Sequence, residues 1–214
     1  MTVQRGEPPS VVETRLVHDG QRRATTLLAG LLGSPDPVPV SASAVAELRD
    51  FVVASLDHHH RLEDTDLWPT LVAADPGLSR PLADLSAEHE LLDTALTDLS
   101  QLDVAAATDP ARLAAEAVRD RVHEHLSHEE PVLFPALTAH VDDGHWAEFS
   151  QRAVASAPQI GTHLLVGFFY EVGTPRQVDL ILRHLPPPAR DAIPAVRARA
   201  RAAIAELDTA GGAG

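Results

Sequence analysis

A chain of 214 residues has room for one substantial core, or for a core with an appendage. Apolar residues make up 44% and aromatics only 4%, a balance dominated by Ala and Leu that favours helix. Cys is absent, which excludes disulfides and thiolate metal sites, and the net charge of −14 argues against nucleic acid or an anionic membrane as the main partner.

Met1 to Ser10 carries no apolar signal core, and no run of about 18 apolar residues occurs, so a cytoplasmic protein is expected. The first helix is predicted from about Val11 to Leu32, where Gly33-Ser34-Pro35-Asp36-Pro37 stops it. A second starts near Ser41 or Ser43 and continues to about Ala74, before Asp75-Pro76-Gly77. A third covers about Ser79 to Asp103. The fourth opens at Thr108-Asp109-Pro110, an N-cap followed by Pro in the first turn, and runs to about Val141. Residues 1–143 are read as one helical unit and residues 144–214 as a helical C-terminal extension. In the extension, His145–Ala157, Thr162–Val172, Pro175–Leu185 and Pro188–Leu207 are expected to be helical, and Gly211–Gly214 to fray. Phe168-Phe169-Tyr170 is read as the core that joins extension to bundle, with closure of a pocket over the site as a second role.

Apolar spacing supports these helices more strongly than the breakers do. Leu82, Leu85, His89, Leu92, Leu96 and Leu99 follow one another in steps of three and four. So do Val45, Leu48, Val52, Leu56, His59, Glu63 and Leu67, and Ala115, Val118, Val122, His125, Glu129 and Val132. The first helix is weaker: Val11, Thr14, His18, Gln21, Thr25, Leu28 and Leu32. These are the seams of a packed helical bundle, interrupted by His or His plus Glu where Leu belongs. Polar groups in such a core must find partners.

The interruptions form a pattern. His59-His60-Arg61-Leu62-Glu63-Asp64 and Trp68-Pro69 align without a gap on His125-Leu126-Ser127-His128-Glu129-Glu130 and Phe134-Pro135, and a lone His, His18 or His89, precedes each copy. A His and a Glu four residues on lie one turn apart on one helical face. Two such pairs and two single histidines place six donors at a common depth, which fits a dinuclear centre bridged by carboxylates better than a single ion. The other histidines are read differently. His58, His60, His123 and His128 flank the donors on the wrong faces, and His140, His145, His163 and His184 lack an acidic neighbour at ligand spacing. His58 or His128 is expected at most to line access to the site.

This order of His, His-x-x-x-Glu, His, His-x-x-x-Glu, with its aromatic-Pro tails, resembles the hemerythrin-like family, also called the HHE cation-binding domain, over roughly Val11 to Val141. The resemblance implies an all-α, antiparallel up-down four-helix bundle around two iron ions, a non-haem diiron centre with an oxo or hydroxo bridge. Its ligands would be His18, His59, Glu63, His89, His125 and Glu129. Oxygen-carrying members have a further His four residues after the third-helix His, and their last carboxylate lies five residues after its His; here those places hold Asp93 and Glu130. Glu129 is preferred because it matches Glu63 in the repeat. Asp93 and Glu130 remain additional ligands or outer partners, and Asp64, Glu88 and Glu130 are candidates to fix imidazole tautomers. Neutral imidazoles outnumber carboxylates, which suits binding of small oxygen or nitrogen species over bulk iron storage. The expected partners are O2, H2O2 or NO, with no nucleic acid and no membrane, and a further protein or a second copy through the C-terminal helices is left open. The reading is an oxidoreductase, with catalase-like peroxide decomposition or nitric oxide and oxygen chemistry first. An oxygen or iron sensor without turnover and a biosynthetic oxygenase are the alternatives.

Overall fold

The computed structural model describes residues 6–34, 40–104 and 108–211, with side chains as far as Asp208; the part of the predicted frayed end beyond Gly211 lies outside the described residues. Everything regular in them is helical. The helices are α1 (Pro9–Gly33), α2 (Ala42–Leu62), α3 (Trp68–Ala74), α4 (Ser79–Ser100), α5 (Asp109–His140), α6 (Asp143–Ser156), α7 (Thr162–Val172), α8 (Pro175–Leu182) and α9 (Pro187–Gly211). No helix among the described residues is long and apolar enough to cross a membrane.

The predicted second helix is not continuous. Between α2 and α3, Glu63–Leu67 forms a π-helical turn, and the Trp68 N–H reaches back to the Glu63 carbonyl. Pro69 has no N–H to offer the carbonyl four residues back, and its ring crowds that position, so the hydrogen-bond ladder shifts just ahead of it. In the second copy of the repeat, Pro131 and Pro135 lie inside an unbroken α5. Ser41 caps α2 and Asp142 caps α6 through their side chains, whereas Thr108 stands at the N-cap of α5 without a side-chain bond.

The helices α1, α2, α4 and α5 form a closed ring of contacts: α1 packs on α2 and α5, and α4 packs on the same two. The weak seam of α1 has a structural reason. This helix also meets α6, α7, α8 and α9, so it is enclosed from both sides and needs no single apolar stripe. Inside the ring the core is layered. Leu28, Leu48, Leu56, Leu92, Leu96 and Val122 belong to one apolar cluster, and Leu67, Trp68, Leu71, Leu85, Leu133 and Leu137 to a second. His18, His59, Glu63, His89 and Glu129 fall between these two layers in the order of their helices, and His125 stands beside Leu126, the last α5 residue of the first.

The extension continues the core of the ring, because Leu164, Phe168, Ile204 and Leu207 share the first cluster with α1, α2, α4 and α5. Tyr170, partly exposed, packs on the smaller cluster of Leu16, Phe169 and Val178 and carries the Arg197 guanidinium 4.0 Å above its ring. Two glycines allow the close packing. Gly161 starts α7 at φ 63, where a Cβ would lie 2.6 Å from the Phe51 Cβ; at Gly167 a Cβ would come within 2.8 Å of the Ala200 Cβ on α9. A buried carboxylate ties the extension to α1. Glu13, 3% exposed, accepts hydrogen bonds from Trp146 Nε1 at 3.0 Å, Ser150 Oγ at 3.2 Å and an Arg183 guanidinium N–H at 3.1 Å, and His184 Nε2 lies 3.1 Å away. His184 therefore has an acidic partner, supplied across the fold rather than at helical spacing.

Candidate metal centre

The polar layer holds His18, Glu63, His89, His125 and Glu129, all buried, together with His59, which is partly exposed. The six residues expected from the sequence are thus brought together. Their atoms divide into two adjacent groups. His18, His59, Glu63 and Glu129 converge with donor atoms within 4.8 Å of one another, and so do His60, His89 and His125. The two carboxylates span both groups. Glu63 turns Oε1 to His59 Nε2 at 3.3 Å and Oε2 to His89 Nε2 at 3.5 Å. Glu129 turns Oε1 to His18 Nε2 at 3.5 Å and Oε2 to His125 Nε2 at 3.1 Å.

His60 corrects the sequence reading. Placed there on the wrong face of α2, it is in fact 2% exposed and stacks on His89 with ring centroids 4.4 Å apart. A single seam per helix assumes that the donors converge on one point. Two groups side by side accept donors from neighbouring rows, and consecutive residues, about 100° apart around a helix, then serve one group each. The adjacent His-His pair was the available signal. His58, by contrast, points its Nε2 to Ser156 Oγ at 2.9 Å, and His128 faces Glu88 at the surface.

Four of the five imidazoles carry a carboxylate on Nδ1, the nitrogen facing away from the cluster. Glu130 stands on His18 at 3.1 Å, Asp93 on His60 at 3.0 Å, Asp64 on His89 at 3.0 Å and Glu88 on His125 at 2.9 Å. Asp93 is therefore behind a ring, and Glu130, which also pairs with Arg22 at 2.7 Å, points out of the cluster while Glu129 points in. Each acid accepts a hydrogen bond from Nδ1–H and so leaves Nε2 as a bare lone pair aimed inward. Trp68 stacks on His89 and Phe134 on His18, so each aromatic-Pro pair closes one side of the layer.

Such an arrangement fits a cation. His18 Nε2, His59 Nε2, Glu63 Oε2 and both oxygens of Glu129 are buried without hydrogen-bond partners. Orphans of this kind are costly unless something binds them. His89 and His125 face each other through Nε2 atoms 3.1 Å apart, although the proton of each ring is directed to an outer carboxylate. The protein electrostatics register the same conflict. Burial, with His18 beside it, holds His59 well below the ordinary imidazole range. Burial and then His60 bring His89 down to about 4. Burial opposes charge on His125, but Glu129 and Glu88 outweigh it and raise its pKa. Burial and the neighbouring Glu129 push Glu63 well up, while Glu129 is held low because His18 and His125 overcome its burial.

A cavity of about 200 Å³ reaches this layer from the side of the extension, with His59 and Glu63 in its wall. Phe51, Phe149, Phe168 and Phe169 supply most of its aromatic surface, so Phe168 and Phe169 serve as both core and pocket wall, and His58 lines it as well. Among the described residues no carboxylate stands on Nδ1 of His59, the cluster imidazole that borders this space.

The family described as Hemerythrin HHE cation binding domain matches residues 12–137, the span from α1 to near the end of α5. No curated protein and no solved structure matches the chain.

Proposed function

Because the chain belongs to the hemerythrin HHE cation-binding family, we propose that α1, α2, α4 and α5 form an up-down bundle holding two iron ions, and that the protein decomposes peroxide. Oxygen and nitric oxide are further small ligands of the same site. The observation that carries this reading is the division of the donors into two adjacent groups spanned by Glu63 and Glu129, with unpartnered buried atoms on His18, His59, Glu63 and Glu129.

His18 and His59, with one oxygen from each glutamate, would hold the first ion. His60, His89 and His125, with the other two oxygens, would hold the second. Bound iron supplies Lewis acidity and exchangeable electrons. The remaining work belongs to the chain. Glu63 and Glu129 set the separation of the two positions and bring negative charge to both. Asp64, Glu88, Asp93 and Glu130 lock four rings in the tautomer that presents Nε2. Four protein donors on one side against five on the other leave more room at the His59 side, where the cavity begins. Its apolar wall limits water and lets a small neutral molecule approach. Five imidazoles against two carboxylates also favour ligand binding over iron storage, for which carboxylate-rich sets are typical.

The test combines metal analysis, an absorption spectrum and an oxygen electrode. Two irons per chain, a ligand-to-iron charge-transfer band and oxygen release from peroxide are expected, with release lost in His59→Ala and Glu129→Ala. An iron-loaded chain that binds peroxide and releases no oxygen would sink the catalytic part of the proposal and leave a binding protein.

A further inference from the structure

The cavity beside His59 is larger than peroxide, oxygen or nitric oxide requires. An apolar cavity of about 150 Å³ in another protein is enough for benzene; the one here is about 200 Å³, and a two-atom ligand would leave most of it empty. It also opens outward, since Ile160, 51% exposed, and the exposed Thr162 line it at the turn between α6 and α7.

Its polar groups narrow the occupant. Of the acids and imidazoles in the wall, Glu63 and His59 belong to the metal layer, and Glu13 is engaged by Trp146, Ser150, Arg183 and His184, so with metal bound none of these four is left to hold a charged ligand. Gln21 differs. It sits one turn after His18 on α1, is 8% exposed, lines the cavity and has an Oε1 without a hydrogen-bond partner. A buried carbonyl oxygen in that state calls for an N–H or O–H donor. We propose that this cavity is a binding site for a neutral organic molecule the size of a single substituted aromatic ring, whose one hydroxyl or N–H donates to Gln21 while the ring lies among Phe51, Phe149, Phe168 and Phe169. This goes beyond the peroxide reading: the protein takes an organic ligand next to the metal layer, on the side with more coordination room.

Titration calorimetry on the iron-loaded full chain tests the proposal, with p-cresol and toluene as probes that differ by one hydroxyl. One p-cresol per chain is expected, with toluene about five-fold weaker, the ordinary worth of one neutral hydrogen bond. Gln21→Leu should erase the difference between the probes. Ala153→Phe, which fills the cavity from α6, should abolish binding of both while iron content and melting temperature are retained; Val154→Phe serves if that variant does not fold. Repeating the titration without iron separates the two readings, because the cavity does not depend on the metal. Absence of p-cresol binding, binding undiminished by the filled cavity, or a p-cresol preference that survives Gln21→Leu would each overturn the proposal.

Discussion

His60→Leu is the most informative single change, because this residue separates a six-donor from a seven-donor centre. His60 is 2% exposed, and among the described residues its acidic partner is Asp93, itself half-exposed at 50%. Losing an outer partner of a metal ligand typically weakens metal binding about 10–100-fold, so losing a donor atom should cost at least about 100-fold at one position. With metal in excess, each factor of ten removes about 1.4 kcal/mol of metal-dependent stability. The metal-dependent stabilisation should therefore fall by about 3 kcal/mol, and at about 2–4 °C per kcal/mol for a chain of this size the iron-induced rise in Tm should shrink by roughly 6–12 °C. The metal-free variant should melt no lower than the metal-free parent, since Leu suits a buried site and removes one imidazole from a crowded cluster. Anaerobic scanning calorimetry with and without ferrous iron, alongside metal counts, measures both halves. His58→Leu, at the neighbouring position bonded to Ser156, should keep the parental response. Two tightly held irons and a full Tm rise in His60→Leu would refute the seven-donor assignment.

Asp93→Asn should weaken one metal position by about 10–100-fold while keeping two ions at saturation; loss of an ion altogether would mean that Asp93 itself supplies a donor. Glu13→Leu leaves the buried His184 and Trp146 Nε1 without their acceptor while the exposed Arg183 returns to water, and should cost about 1–3 kcal/mol in urea unfolding. Its α8 segment should become the first site of limited proteolysis. Gly161→Ala forces a side chain onto φ 63 and a Cβ to within 2.6 Å of Phe51, so a loss of about 1–3 kcal/mol is expected from the strained backbone alone. An unchanged melting temperature would show that the turn relaxes freely.

Helix placement was legible because it depends on local signals. Thr162–Val172 was bounded by a Pro and a Gly, and the steps through Leu82, Leu85, His89 and Leu92 already named the buried face of α4. The donors on those seams were legible for the same reason: a His or Glu in a Leu position is conspicuous. What escaped depended on neighbours in space. His60 looked misplaced because a one-seam rule has no place for a second row of donors. Nothing in the sequence marks Glu13 near the start of α1, yet it is the anchor for Trp146, Arg183 and His184, which follow far along the chain. The π-turn at Glu63–Leu67 could not be told from Pro69 alone, since Pro135 stands in the matching place of a helix that stays regular. Of the cavity the sequence suggested only the Phe168 and Phe169 wall, because the rest comes from α1, α2, α6, α7 and α8 at once.

The repeat explains where the two halves of the centre should differ in chemistry. Glu63 and Glu129 occupy matching positions, as do His59 and His125, and the aromatics Trp68 and Phe134 close matching sides. Among the donor positions one breaks the match: where the first copy has His60, the second has Leu126, packed in the apolar core at 1% exposure. That single difference gives one group three imidazoles and the other two. The extension breaks the symmetry a second time, because its cavity meets His59 and Glu63, on the side of the smaller donor set. Two unrelated features, a substitution within a duplicated motif and a set of helices outside it, thus favour the same side of the centre. The reaction proposed above is therefore expected at the His59 side. A ligand that instead approached past His125 would have to displace Leu126 or the Glu88 contact that bridges His125 and His128.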